Sequence, residues 1–77
     1  MPVLIYTTNT CPYCHMAMDY FKANNVSYTE INVEEQPDKV DEMIEKSGQL
    51  GVPVIDINGQ IIIGFNKRAI EQALQKG

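Results

Sequence analysis

A chain of 77 residues, 44% of them hydrophobic, sits near the size at which one core just suffices, roughly 70 to 80 residues, so one domain over residues 1–77 is expected and a second is excluded. The net charge of −4, from ten acidic and six basic residues, excludes the clustered basic face that nucleic-acid phosphates demand; Lys67-Arg68 is the one adjacent basic pair. No apolar run approaches the ~20 residues that span a bilayer, and the start MPVLIY carries neither the charged leader nor the long apolar segment of a secretory signal, so the expectation is a cytoplasmic protein with no membrane or nucleic-acid partner.

Val3-Leu4-Ile5-Tyr6 is a short apolar, β-prone run that predicts a first strand, and polar Thr7 to Thr10 leads from it into Thr10-Cys11-Pro12-Tyr13-Cys14-His15. Cys14, Ala17, Met18 and Phe21 then recur at i, i+3, i+4 and i+7, the stripe of a helix buried on one side, which should end near Asn24-Asn25. Val26 to Val33 is rich in β-branched residues and predicts a second strand, parallel to the first because a helix separates them. Pro37 suits a first helical position, Asp38, Asp41 and Glu42 favour the positive end of the helix dipole, Val40, Met43 and Ile44 form a stripe, and Gly48 is placed to stop that helix. Val52 to Ile57 and Gln60 to Ile63 flank Asn58-Gly59, the strongest short hairpin signal, and should pair antiparallel. After Gly64-Phe65, Asn66 is a candidate N-cap for a last helix whose Ile70, Ala73 and Leu74 face inward. The predicted order is βαβαββα, an α/β class.

The TCPYCH stretch fits three chemical recipes: a CxxC redox dithiol, half of a zinc site, and the CxxCH signature of covalent haem attachment. Haem attachment needs an exported compartment, for which no signal is visible, so His15 is expected instead on the solvent side of the helix. Zinc fails by counting, since a structural site takes four N/S ligands and the chain offers Cys11, Cys14 and His15. In a reducing compartment two cysteines three apart point to catalysis or metal binding rather than to a structural staple. The attacking species is a thiolate, and a free cysteine with pKa near ~8.5 is mostly protonated at neutral pH. Cys11, at the mouth of a helix, faces unpaired N–H groups and the positive dipole end, which favour S⁻; Pro12 fits the first helical position, where its missing N–H costs nothing. Cys14, on the apolar stripe, should be the less exposed, resolving thiol that attacks the mixed disulfide. No metal-binding residues are expected.

With CxxC at the junction of the first strand and helix, Gly51-Val52-Pro53 some forty residues on and the Gly64-Phe65 turn, the chain resembles the glutaredoxins over essentially its whole length. The resemblance implies a minimal thioredoxin fold, a four-stranded mixed sheet flanked by three helices. It implies a thiol–disulfide oxidoreductase reducing protein disulfides and glutathione-mixed disulfides, with glutathione as cosubstrate, no tightly bound cofactor and a monomeric state. It further implies that the Val52–Pro53 bond is cis, that Val52 offers its backbone to glutathione or an extended peptide, and that Tyr13 packs beside the sulfurs. The expected glutathione contacts are Thr8, Pro12, Tyr13, Gln49, Val52, Pro53, Gly64, Phe65, Asn66 and Lys67.

Several of these positions depart from the family pattern. Thr8 stands where many glutaredoxins have a lysine for a glutathione carboxylate, Gly51 where they have threonine, and Ile63-Gly64-Phe65-Asn66-Lys67 where they have a double glycine followed by acidic residues. Gly64 and the N–H groups opening the last helix are left to receive a carboxylate, with Asn66, Lys67 and Gln49 adding polar contacts. The Gly64-Phe65 pair also resembles the glutaredoxin-like hydrogen donors of ribonucleotide reductase, which take electrons from thioredoxin reductase. That makes a ribonucleotide or other reductase a candidate partner and thioredoxin reductase the alternative donor. An alternative of another class is an iron–sulfur cluster held between two protomers, which a reddish-brown colour would reveal.

Overall fold

A computed structural model describes residues 3–76. Its elements are β1 (Val3–Thr7), α1 (Pro12–Ala23), β2 (Thr29–Asn32), a 3-10 turn (Pro37–Lys39) running into α2 (Val40–Ser47), β3 (Val54–Ile57), β4 (Gln60–Ile63) and α3 (Lys67–Lys76). The four strands form one mixed sheet in the order β2-β1-β3-β4, with β1 parallel to β2, and antiparallel to β3, which is antiparallel to β4. This is the expected βαβαββα thioredoxin fold. Among the described residues no helix is long and apolar enough to cross a membrane.

Alternation along the strands divides the interior into two cores. Val3, Ile5, Ile55, Ile57 and Ile62 face α1 and α3, meeting Ala17, Met18, Phe21, Ile70 and Ala73; Tyr6 and Val54 face α2, meeting Val33 and Met43. The predicted stripe of α1 is the buried one, and burying side chains the size of Phe21 or Ile5 stabilises by about 1.5–3 kcal/mol each. Asn58 and Gly59 both adopt positive φ, 51° and 91°, the turn that lets β3 and β4 pair without splaying, while Gly48 at φ 75° closes α2 by donating its N–H to the Ile44 carbonyl at 2.7 Å.

Two strands are shorter than their β-branched runs suggest. β2 starts at Thr29 rather than Val26 because Asn25, just past the Asn24 cap of α1, lies in the left-handed region (φ 57°) and Val26 N–H turns back to the Phe21 carbonyl at 2.8 Å. Val26 and Tyr28 then pack against the core instead of pairing. β3 starts at Val54 rather than Val52 because Pro53 has no N–H to give the ladder. The second helix likewise opens as a 3-10 turn at Pro37, with no side chain capping it.

Candidate active site

Cys11 follows the β1–α1 loop as the N-cap of α1, in extended backbone conformation, with Pro12 at the first helical position. Its Sγ accepts the backbone N–H of Cys14 at 3.2 Å, and the two sulfurs are bonded to each other across a Cα–Cα distance of 5.2 Å. The first turn of α1 carries no acidic residue of its own. Cys11 is 6% exposed and Cys14 1%. An open depression of about 360 Å³, lined by Asn9, Thr10, Cys11, Pro12 and His15, gives access to the first cysteine and does not include the second. Tyr13 is 62% exposed, free to lie beside an incoming disulfide, and His15 points to solvent.

The loop ahead of Cys11 is stapled in place. Asn9 donates its backbone N–H and its side-chain amide to the two Glu34 oxygens at 3.0 and 3.2 Å, and Asn32 donates to Asn9 Oδ1 at 2.8 Å. Thr7, fully buried, donates to Glu30 at 2.8 Å. None of these contacts follows from local sequence pattern, since they join residues 23 to 25 positions apart.

The sheet registers bring several of the expected binding residues to one end of the sheet. β1 pairs Tyr6 with Val54, the last partners of that ladder, which places Pro53 and Val52 just beyond it, at the end of β1 from which the chain enters α1 through Thr8. β3 pairs Val54 with Ile63, which sets Pro53 beside Gly64, and Gly64 N–H donates to the Pro53 carbonyl at 2.9 Å. The Val52–Pro53 bond is cis, as the resemblance implies. Val52 is half-buried, and among the described residues no backbone hydrogen bond outside the helices and strands involves its N–H or C=O.

The remaining expected contacts sit differently. Gln49 is exposed, with its backbone held to the Ser47 hydroxyl and its side chain folded over Gly51, where a Cβ would lie 3.3 Å from Gln49 Nε2. Gly64 has φ 78°, a conformation that favours glycine. Phe65 packs edge-on against Tyr20, centroids 6.1 Å apart, so it ties the loop ahead of α3 to α1. Asn66 acts as the predicted cap of α3, its Oδ1 accepting from Ala69 N–H at 3.2 Å. The Lys67 ammonium lies 5.8 Å from the Tyr20 ring centroid, six residues along α1 from Cys14, and Tyr20 in turn donates to Glu71 at 3.4 Å.

Comparison with known proteins places this arrangement, a CxxC pair at a helix mouth with a cis proline just ahead of β3, in a family. The glutaredoxin family model matches residues 3–62. The chain is 42% identical over 74 residues to the uncharacterized glutaredoxin-like 8.6 kDa protein in the rubredoxin operon of Clostridium pasteurianum, covering 96% of this chain and 99% of that one. It is 44% identical over 62 residues to glutaredoxin 3 of Escherichia coli (strain K12), covering 80% and 75%. Among solved structures it superposes on the glutaredoxin-like protein NrdH-redoxin from Escherichia coli with a TM-score of 0.82 at 26% identity, covering 94% and 93%. The chain therefore belongs to the glutaredoxin family, whose thiol–disulfide chemistry its Cys11–Cys14 pair is equipped to perform.

Proposed function

We propose that the protein is a dithiol reductase of protein disulfides and glutathione-mixed disulfides, working through Cys11 as nucleophile and Cys14 as resolving thiol. One observation carries the assignment of roles: Cys11 is the cap of α1, aimed at by an N–H of its first turn and open to the depression beside it, whereas Cys14 lies within the core. In the reduced protein the Cys11 thiolate attacks one sulfur of the substrate disulfide, that S–S bond breaks, and the other sulfur leaves as a thiolate that takes up a proton. Cys14, losing its proton, then attacks Cys11 Sγ, releases the second substrate thiol and restores the intramolecular disulfide, so the substrate gains the two electrons the dithiol loses. Substrate backbone pairs with Val52 at the end of the sheet, beside Thr8 and Gly64. Two molecules of glutathione reduce the Cys11–Cys14 disulfide and become glutathione disulfide.

A second donor is favoured by specific residues. Thr8 provides no charge for a glutathione carboxylate, Asn66 is engaged as a cap, and Lys67 rests on Tyr20. The Escherichia coli NrdH-redoxin that this chain resembles is described as having a thioredoxin-like activity profile. In this reading a thioredoxin reductase supplies the electrons. Mixing the oxidised protein separately with glutathione and with a thioredoxin reductase plus NADPH, and following return of the two thiols, decides between them. Faster reduction by glutathione supports the first donor; reduction by the reductase with glutathione slow replaces it; failure of both overturns the reductase function itself.

A further inference from the structure

On the face of the sheet opposite α1 and α3, four polar side chains form a network that the thiol chemistry does not use. Tyr6, fully buried on β1, donates its hydroxyl proton to Glu42 of α2. Lys46, at the end of α2, donates to the Tyr6 oxygen at 2.9 Å and to Asp56 Oδ2 on β3 at 2.8 Å, and lies 5.2 Å from the Tyr6 ring centroid. The Lys46 and Asp56 side chains are 28% and 14% exposed, so this pair is shielded from water and held more firmly than a surface ion pair.

Its position in the chain is what gives it a consequence. Lys46 and Asp56 are ten positions apart, and the segment between them carries Gln49, Gly51, Val52 and Pro53. The salt bridge therefore closes the base of that segment. One residue on, the Ser47 hydroxyl donates to the Met43 carbonyl at 2.8 Å and meets Gln49 through its carbonyl at 3.0 Å and its N–H at 3.3 Å, carrying the anchor to the first loop residue. At the far end Pro53 is held by Gly64 N–H and Val54 by its pairing with Tyr6, the same residue Lys46 grips. Between these anchors lies Gly51, which has no side chain of its own to pack.

We propose that Lys46 is a positioning residue for the Gln49–Pro53 loop: by bridging Asp56 and Tyr6 it holds Val52 where a substrate backbone can pair with it. This rests on the reading above that Val52 receives the substrate. A lysine acting this way lowers the ordering cost of binding and leaves the chemistry at Cys11 alone, so its loss appears in KM and not in kcat.

The test compares full-length wild type, Lys46→Met, which keeps an apolar stem, and Lys46→Arg, which keeps the donors. Backbone hydrogen exchange of the oxidised proteins is read at the two ends of the loop, at Gln49, whose N–H is held by Ser47 Oγ, and at Gly64, whose N–H is held by the Pro53 carbonyl, and kinetics are taken on the mixed disulfide of glutathione with 2-hydroxyethanethiol. Lys46→Met is expected to speed exchange in the loop about tenfold while Ile5 and Phe21 stay protected, and to raise KM about three- to tenfold with kcat and the ionisation of Cys11 unchanged. Lys46→Arg is expected to restore most of both. Unchanged loop exchange, or a lower melting temperature with KM unaltered, overturns the proposal, as does a fall in kcat accompanied by altered Cys11 ionisation. Should Lys46→Met not fold, Asp56→Asn takes its place, since asparagine keeps the Oδ1 that accepts Gly59 N–H at 2.8 Å. If wild type reduces no mixed disulfide, the proposed function fails while the exchange measurement still judges the loop.

Discussion

Removing the second sulfur isolates the activation of the first. In Cys14→Ser the Cys11 thiol titrates alone, free of coupling to its neighbour. Three features of the site bear on its ionisation. The positive end of the 12-residue α1 favours an anion at its N-terminus by about 0.3–1 kcal/mol, rising to about 2 in partly buried geometry. The Cys14 N–H aimed at Cys11 Sγ from 3.2 Å gains strength when that sulfur is charged, with hydrogen bonds to charged groups worth about 1.5–3 kcal/mol. Burial of Cys11, 6% exposed, works against the anion. The two favourable contributions overlap, because the Cys14 N–H is one of the amides that make the positive end of α1, so together they amount to about 1.5–3 kcal/mol before burial is set against them, an upper bound of roughly ten- to a hundredfold on the rise in thiolate-to-thiol ratio at neutral pH. Alkylation rates with iodoacetamide, measured over a range of pH against free cysteine, report that ratio directly. A titration midpoint below the ~8.5 of free cysteine is expected; a midpoint at or above it refutes the activation by the helix mouth.

Other consequences are measurable. Thr8→Lys places an ammonium just past the end of β1, three residues ahead of Cys11, and should strengthen the use of glutathione by up to roughly ten- to a hundredfold if the new charge-assisted bond is desolvated, read from the glutathione dependence of turnover; no change in that dependence removes Thr8 from the glutathione site. Burial, reinforced by the hydrogen bond to Glu42, raises the Tyr6 pKa above its ordinary 10.0, so the folded state holds this proton more tightly than the unfolded chain. For Lys46, burial opposes the charge, but hydrogen bonds to Asp56 and Tyr6 outweigh it and raise its pKa as well. Both contributions to stability are complete below pH about 10 and are lost as pH rises beyond it, so the melting temperature should fall more steeply above pH about 10 in wild type than in Tyr6→Phe; parallel curves would contradict this.

Local chemistry explains why so much of the fold was legible. The α1 stripe, the Asn58-Gly59 turn, the Gly48 stop and the Asn66 cap each depend on residues within one or two turns of one another, and each stands where the pattern placed it. The length of β2 was not legible, because Val26 and Tyr28 are as β-prone as their neighbours and only the left-handed Asn25 and the core beneath α1 turn them away from the sheet. In the candidate site the cysteines were readable from spacing and the helix mouth, and the cis bond from resemblance alone, since nothing in Val52-Pro53 itself favours it. The staple from Asn9 to Glu34 and the bridge from Lys46 to Tyr6 were invisible: they join side chains 25 and 40 positions apart, and what selects them is the register of the finished sheet. Only the Glu42–Lys46 spacing of four hinted that Lys46 had a partner, and its shorter bond is to Asp56.

The division of labour between the sulfurs is tested most directly by trapping the covalent intermediate. Cys14→Ser and Cys11→Ser are each reduced, incubated with glutathione disulfide, quenched with acid and analysed by intact mass and peptide mapping. Cys14→Ser is expected to carry one glutathione on Cys11 within the dead time of mixing, because nothing remains to resolve it, and Cys11→Ser to acquire it slowly if at all, its one thiol being buried in the core. Rapid modification of Cys14 in Cys11→Ser, with Cys11 in the other variant slow, would contradict the assignment.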